Sequence, residues 1–182
     1  MSERMNTCCA LALLIPSRLT SDIEDVRREH DKAYDRWMPH INFLFPFVQE
    51  HNIPDVAKRL TEELSKLPLF VLNLSEVGSF SQRDGNTFHL KSKDETNMIE
   101  LYAAARRAIP EFKPQRDDFH PHLTLGQWKK SENPTSMLQS TFGGGITVVV
   151  DKLCIITRTK DGPFSVHTEI PLGVSVEGGY ED

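Results

Sequence analysis

The first fifty residues switch twice between the apolar spacing of strands and that of helices. An unbroken apolar run at residues 8–16 has the length of a buried strand. Ser21-Asp22-Ile23-Glu24 then has the spacing of a helix capping box, and apolar residues recur at helical intervals as far as Trp37. A short apolar segment that begins at His40 follows directly. We therefore expect a strand, a helix to about Trp37 and a second strand.

The middle of the chain continues this alternation. Apolar residues at spacings of three and four predict a second helix over residues 54–67. Residues 70–77 and 87–91 predict two strands, and Asp84-Gly85 suits the turn between them. Residues 95–109 predict a third helix, which the following prolines end.

The last third is predicted to be rich in strands. A segment of strand character contains His122, and a polar loop over residues 130–140 follows it. Three further strands are expected at residues 146–150, 153–159 and 166–171. A helix therefore precedes a histidine-bearing strand twice, so the order of elements is nearly two copies of one unit.

Two short motifs recur within the predicted histidine strands. The sequence is Pro-His-Ile-Asn at residues 39–42 and Pro-His-Leu-Thr at residues 121–124. Because side chains alternate between the two faces of a strand, His40 and Asn42 share one face of theirs. His122 and Thr124 do the same. One such motif alone would most simply contain a structural histidine, but the pair indicates a site.

Paired histidines suit acid–base catalysis on a phosphodiester. An imidazole titrates near neutrality, so one ring can hold a proton while the other lacks it. Such a pair can deprotonate a nucleophile and protonate a leaving oxygen, and the scheme requires no metal or other cofactor. Asn42 and Thr124 can each donate a hydrogen bond to a phosphoryl oxygen. We therefore expect His40 and His122 to be catalytic and Asn42 and Thr124 to bind substrate.

These features resemble the 2H phosphoesterase superfamily, which is named for two His-x-Thr/Ser motifs and includes 2′-5′ RNA ligase-like RNA cyclic phosphodiesterases. The resemblance extends over nearly the whole chain, from the first apolar strand through both motifs to the closing strand at residues 151–158. It implies a bilobal α+β fold with two facing antiparallel-rich sheets, outer helices and a pseudo-two-fold axis. It also implies hydrolysis of 2′,3′-cyclic phosphates or 2′-5′ linked oligonucleotides. His40 would be the general acid and His122 the base, unless the substrate binds in the opposite sense.

Two positions depart from the family pattern. Asn42 stands where a threonine or serine is usual, and Gln127 follows Gly126 where a basic residue is common. An asparagine still carries a hydrogen-bond donor, so this departure bears on rate or substrate preference more than on mechanism. It leaves open an alternative function, a module that binds a nucleotide with little or no turnover.

Composition narrows the choice of partner. The formal net charge is −5, whereas binding to long nucleic acid depends on many Lys and Arg contacts to phosphate. A nucleotide or an RNA end as substrate needs only a local basic patch, although each basic residue could equally be a solvated surface charge. The candidates for such a patch are Arg106, Arg107, Lys113, Arg116, Lys129 and Lys130.

Length, cysteines and apolar runs bound the class of protein. The 182 residues, 38% of them hydrophobic, suit a single domain over residues 1–182, with a frayed acidic end at about 176–182. Three cysteines make no disulfide framework, which favours a reducing compartment. The run at residues 8–16 lacks signal-peptide flanks, and no stretch approaches the ~20 apolar residues of a membrane span. We expect a monomer of the cytoplasm, or of the nucleus, without a membrane partner.

Other histidines and aromatic residues have simpler interpretations. His120 and His122 could ligate zinc in a zinc hydrolase, but no further ligands stand at useful spacing. Four histidines show no partner pattern and are expected to be surface or structural residues: His30, His51, His89 and His167. Five aromatic residues could stack on a base but are expected in the core: Phe45, Phe47, Phe80, Phe119 and Trp128.

Overall fold

Nine strands and four α-helices make up the part of the chain that the computed structural model describes, residues 5–116 and 118–173. The strands are β1 (Cys9–Leu14), β2 (His40–Leu44), β3 (Phe70–Leu74), β4 (Glu76–Gln82), β5 (Gly85–Lys91), β6 (Leu123–Trp128), β7 (Ile146–Val150), β8 (Lys152–Thr157) and β9 (Ser165–Pro171). The helices are α1 (Ser21–His30), α2 (Ile53–Leu64), α3 (Thr96–Ala108) and α4 (Thr135–Phe142). The expected fraying at 176–182 lies outside the described residues.

The described strands form two antiparallel sheets. Seven of them lie in one sheet in the order β4-β5-β6-β2-β1-β8-β9, and β3 pairs with β7 in the second. The register of β2 with β6 is a single pair, Ile41 with Leu123. The large sheet therefore has two halves, β4-β5-β6 and β2-β1-β8-β9, which meet at the two histidine strands. The expected α+β fold, with antiparallel sheets and helices, is confirmed.

The two faces of the large sheet pack differently because β1 alternates between them. Leu11 and Leu13 lie in the main hydrophobic core, which also contains residues of all four helices. Ala10 and Ala12 lie in a smaller apolar cluster around Trp37. The alanine side chains are small, and this cluster covers them completely.

The first motif lies on the same face as the smaller cluster. In the register of β1 with β2, Ala12 is opposite Asn42 and Leu14 is opposite His40. Residues that are directly opposite in an antiparallel pair share a face. The main core therefore supports the strand from behind while His40 and Asn42 project from its front.

The first helix is shorter than its apolar pattern predicts. α1 ends at His30, and residues 32–36 form turns instead of continuing the helix to Trp37. Asp31 has extended backbone angles, and its carboxylate accepts a hydrogen bond from the backbone N–H of Ala33 at 3.0 Å. Such a local side-chain bond competes with the next helical turn.

The predicted strand over residues 70–77 is divided between the two sheets. β3 ends at Leu74, and β4 begins at Glu76 and continues to Gln82 beside β5. Ser75 is the crossing point, and its backbone N–H donates to the carbonyl of Lys91 at 3.2 Å. An alternating apolar pattern marks both pieces as strands but carries no signal for the change of sheet.

The prediction of a polar loop over residues 130–140 is wrong for its second half, where α4 forms. Leu138 and Phe142 are four residues apart and are both buried, so α4 has an apolar face despite its polar composition. Asn133 accepts a hydrogen bond from the backbone N–H of Thr135 at 3.1 Å, which satisfies a donor at the helix start.

Candidate active site

The pairing of β2 with β6 brings the two predicted motifs together. The strands are antiparallel and meet at the two residues that directly follow the motif histidines. One residue to either side, this register sets His40 opposite Thr124 and His122 opposite Asn42. Because opposite residues share a face, all four predicted site residues lie on one face of the sheet.

The two catalytic candidates have the same hydrogen-bond arrangement. Nδ1 of His40 lies 2.6 Å from the carbonyl oxygen of Met38, and Nδ1 of His122 lies 2.6 Å from that of His120. A carbonyl oxygen can only accept, so Nδ1 carries a proton and donates it in both rings. In the neutral ring Nε2 is then an unprotonated acceptor. The backbone thus holds each imidazole in the tautomer that can take up a proton at Nε2.

Burial favours the neutral form of both imidazoles. The pKa of His40 is lowered from 6.5 to about 4, mainly by burial. The hydrogen bond to the Met38 carbonyl and the charge of Asp31 raise it, whereas the Arg27 guanidinium and His122 lower it. Burial is also the main cause of the lowered pKa of His122, and the hydrogen bond to the His120 carbonyl opposes it. Both rings are therefore neutral at pH 7 in the protein alone.

Aromatic rings fix the plane of His40. The indole of Trp37 stacks on the imidazole, with ring centroids 4.4 Å apart and 16° between the planes. Phe164 packs against the indole at 3.9 Å, and Phe45 contacts it edge-on at 5.0 Å. Phe45 is 40% exposed instead of lying in the core as predicted. An exposed ring beside a catalytic candidate is a surface on which a nucleobase can stack.

The ring of His122 belongs to a cluster with Phe80 and His89. Its centroid lies 4.9 Å from that of Phe80, edge to face, and 5.1 Å from that of His89. Phe80 and His89 stack on each other at 4.5 Å, and Phe80 is 38% exposed. His89 is 3% exposed and pairs with Thr124 across the strands. It is the site residue that the sequence pattern missed.

His89 is accommodated by a glycine on the next strand. It pairs with Gly78, where a Cβ atom would stand 2.5 Å from its Nε2. Its Nδ1 is buried without a hydrogen-bond partner in the protein. The pKa of His89 is lowered from 6.5 to about 4, first by burial and then by the charges of His122 and Lys91. Gly78 was the one feature of the sequence that could have pointed to His89. It could be interpreted only once the register of the two strands was known.

Asn42 and Thr124 provide polar groups between the two histidines. Asn42 is half-buried, and its Oδ1 is buried without a hydrogen-bond partner in the protein. A buried acceptor without a partner costs about 1–3 kcal/mol, which a hydrogen-bond donor on a ligand, such as a hydroxyl, could recover. Thr124 is half-buried on the facing strand. The amide and the hydroxyl are thus placed to bind one ligand from two sides.

The other predicted candidates have different surroundings. His120 is exposed, its ring lies 3.1 Å from the Asp118 carboxylate, and its backbone carbonyl accepts the hydrogen bond from His122. Arg106 donates to the hydroxyl of Tyr102, and Arg107 pairs with a glutamate of α2. Four further basic candidates are exposed: Lys113, Arg116, Lys129 and Lys130.

Gln127, the second departure from the family pattern, connects β6 to the end of α1. Its Oε1 accepts a hydrogen bond from the backbone N–H of Lys32 at 3.0 Å, and its Nε2 donates to Oδ1 of Asp31 at 3.4 Å. An amide carries both a donor and an acceptor, which these two partners require. A basic side chain at this position could not accept the bond from Lys32.

Within residues 5–116 and 118–173, no group of three or more His, Cys, Asp or Glu side chains is arranged to hold a metal ion. Nδ1 of His122 is hydrogen-bonded to the backbone carbonyl of His120 and is therefore not free to bind zinc together with the His120 ring. No helix in the described part of the chain combines the length and apolar character needed to cross a membrane.

Comparisons with known proteins agree with this architecture. Residues 15–162 match the family model described as the 2′-5′ RNA ligase superfamily. A Staphylococcus aureus (strain JH1) protein named "Putative phosphoesterase" is 22% identical over 153 residues, which cover 81% of this chain and 89% of that protein. E. coli LigT complexed with 3′-AMP has a TM-score of 0.64 at 17% identity, over 91% of this chain and 98% of LigT. TT0787 of Thermus thermophilus has a TM-score of 0.62 at 16% identity, over 90% and 97% of the two chains. The chain belongs to the 2′-5′ RNA ligase superfamily.

Proposed function

We propose that this protein is a metal-independent phosphodiesterase that hydrolyses 2′,3′-cyclic phosphates or 2′-5′ linked oligonucleotides. The observation that carries the proposal is the arrangement of His40 and His122 on one face of the sheet. Each donates from Nδ1 to a backbone carbonyl at 2.6 Å, which leaves Nε2 for chemistry. Two imidazoles of this kind can act as a general base and a general acid in one step.

The proposed step is attack of water on phosphorus. One imidazole takes a proton from the water at Nε2 while a new P–O bond forms. The bond between phosphorus and the 2′ or 3′ ribose oxygen breaks, and the second imidazole gives its Nε2 proton to that oxygen. The products are a phosphomonoester and a free hydroxyl. Asn42 and Thr124 donate hydrogen bonds to the non-bridging oxygens as negative charge develops on them.

The charges around each ring suggest which histidine carries the proton. A bound phosphodiester is negatively charged and raises the pKa of both imidazoles. The Arg27 guanidinium lowers the pKa of His40 by more than Asp31 raises it, so this ion pair as a whole opposes a positive charge on His40. The neighbouring side chain that lowers the pKa of His122 is the exposed imidazole of His120. We therefore assign the acid to His122 and the base to His40, which exchanges the labels that the family resemblance implies.

The relatives support a nucleotide substrate. Structures of E. coli LigT have been solved with 3′-AMP, with ATP and with NADP+. In the present protein Phe45 and Phe80 are 40% and 38% exposed, one on the His40 side and one on the His122 side. Each offers a ring face or edge to a base near the proposed reaction centre.

A product assay on 2′,3′-cyclic nucleotides and 2′-5′ oligomers tests the proposal. We expect turnover that survives excess chelator, and a loss of at least about 10²-fold in His40→Ala and in His122→Ala. His167→Ala, at an exposed position of β9, is the control for loss of an imidazole. Near wild-type turnover in either folded site variant would refute the paired-histidine mechanism. Activity that chelator abolishes and zinc restores would favour a zinc hydrolase instead.

The second candidate function is a nucleotide-binding module with little or no turnover. The observation in its favour is that both site imidazoles are neutral at pH 7 in the protein alone, whereas catalysis requires one imidazolium. Calorimetric binding of 3′-AMP with no product from any member of the substrate panel would support this function. Turnover that follows a bell-shaped pH profile would exclude it.

A further inference from the structure

A group of charged and amide side chains lies near His40, and we call Glu24, Arg27, Asp31 and Gln127 the Arg27 network. Arg27 and Asp31 are buried, and the other two are half-buried. Arg27 is only 2% exposed, although arginine is almost never fully buried without partners. Its Nε donates to Oδ2 of Asp31 at 2.9 Å, and Nη1 donates to Oε1 of Glu24 at 3.0 Å. The remaining nitrogen, Nη2, donates to the backbone carbonyl of Trp37 at 2.7 Å.

The carboxylate of Asp31 is at a position where it does not stabilise α1. It caps the C-terminus of α1, the end at which the helix dipole is negative and a cation would be favourable. Its Oδ1 instead accepts from the backbone N–H of Ala33 at 3.0 Å and from Nε2 of Gln127 at 3.4 Å. The network therefore reaches from α1 to β6, the strand that follows His122.

Stability alone gives little reason for such a network. A buried ion pair is often no more stabilising than apolar side chains of the same volume, because both charges must be removed from water. The geometry offers a second reason, which is the position of Trp37. Arg27 bonds the carbonyl of the residue whose indole stacks on His40 at 4.4 Å.

The anchored segment also carries the hydrogen bond of the catalytic ring. Trp37 is followed by Met38, whose carbonyl accepts from Nδ1 of His40 at 2.6 Å. The face of the ring and its Nδ1 are thus both held by a dipeptide that Arg27 fixes from the other side. The two members of the ion pair act on the same ring electrostatically, and in opposite directions.

We propose that Arg27 and Asp31 are positioning residues for His40, which fix the orientation of its ring and the charge in its surroundings. Neither side chain touches the reacting atoms in this scheme. Arg27 acts through Trp37, and Asp31 acts by orienting Arg27 and by partly balancing its charge. The part of the proposal that concerns catalysis rests on the proposed function, whereas the part that concerns His40 itself does not.

The titration of His40, followed by NMR of histidine-labelled protein, tests the proposal without any assay of activity. The charged and titratable groups that act on this ring are Arg27, Asp31 and His122. We expect the His40 midpoint to rise in Arg27→Met and to fall in Asp31→Asn, each by about half a unit or more. A change of fold would not move the midpoint in opposite directions in the two variants.

Matched controls lie on the same helix. Arg28 and Asp25 form an exposed ion pair at 3.0 Å, so Arg28→Met and Asp25→Asn make the same charge changes away from the site. We expect both controls to leave the His40 midpoint unchanged. An unchanged midpoint in Arg27→Met and Asp31→Asn, or equal shifts in the controls, would overturn the proposal.

A kinetic comparison separates positioning from binding, and a paired replacement guards against unfolding. Removing one partner of a buried ion pair costs about 3–5 kcal/mol, whereas replacing both with apolar residues is often neutral. We expect Arg27→Met combined with Asp31→Leu to fold and to lose about 10-fold or more in kcat with little change in KM, because the ring is no longer held in place. Wild-type kcat in this folded double variant would refute the positioning role. If the wild type itself has no activity, the proposed function fails, and the NMR titration still decides whether Arg27 and Asp31 act on His40.

Discussion

Replacing His89 with leucine should make the protein less sensitive to acid. His89 is 3% exposed, and its pKa is lowered from 6.5 to about 4, mainly by burial. Between these values the unfolded chain binds a proton at this residue and the folded protein does not, so the free energy of unfolding falls as the pH falls from about 6.5 to about 4. The shift of about 2.5 pKa units corresponds to about 3 kcal/mol. His89→Leu lacks this contribution, so its stability relative to the wild type should grow by about that amount over the same range.

At pH 7 the two proteins should be of similar stability. Leucine removes the buried Nδ1 that has no partner, worth about 1–3 kcal/mol, and loses the stacking on Phe80, worth about 0.5–1.5 kcal/mol. The measurement is urea unfolding followed by circular dichroism at several pH values from 7 to about 4. His167→Leu, at an exposed position, is the control. A difference between His89→Leu and wild type that stays constant with pH would refute the reasoning.

Two further predictions concern the donors of the site and the space beside His89. Asn42→Ala and Thr124→Val should each lose about 1.5–3 kcal/mol of interaction with a charged oxygen, or roughly 10- to 10²-fold in kcat/KM. Asn42→Thr keeps a hydrogen-bond donor and should remain active. Wild-type kcat/KM in Asn42→Ala, with folding checked by circular dichroism, would contradict this prediction. Gly78→Ala should lower the free energy of unfolding by about 1–3 kcal/mol, because its Cβ would stand 2.5 Å from Nε2 of His89. Gly144→Ala, where nothing lies within 4 Å of the added atom, is the control, and equal urea midpoints in the two variants would count against the predicted clash.

The two motifs could be recognised from the sequence because their information is local. A histidine and a hydrogen-bonding side chain two positions apart share a strand face whatever the rest of the fold does. The strand assignments for β2 and β6 needed only the surrounding apolar residues. That the strands are hydrogen-bonded neighbours, and that they meet one residue beyond each histidine, depends on tertiary pairing and was not predicted.

The features that the sequence did not predict depend on contacts between distant segments. His89 has no partner pattern within its own strand, and its place in the site follows from pairing with Thr124 and Gly78 on two other strands. The early end of α1 depends on Asp31, whose partners include Gln127, 96 residues away. The apolar spacing that predicted a longer helix correctly indicates that Trp37 is buried. A residue can be buried equally well when it follows a turn instead of continuing the helix.

The short contact between β2 and β6 explains why so many other groups tie α1 to β6. A shift of one residue in an antiparallel register turns every side chain of a strand to the opposite face, which would remove one histidine from the site. The single residue pair between β2 and β6 does little by itself to prevent such a shift. Gly126 lies directly against His30, where a Cβ atom would come within 2.7 Å, and Trp128 stacks on the same histidine at 4.4 Å. Together with the hydrogen bonds of Gln127, these contacts fix β6 along its axis relative to α1. Since Arg27 of α1 also holds Trp37 beside His40, one helix end determines the position of both motifs.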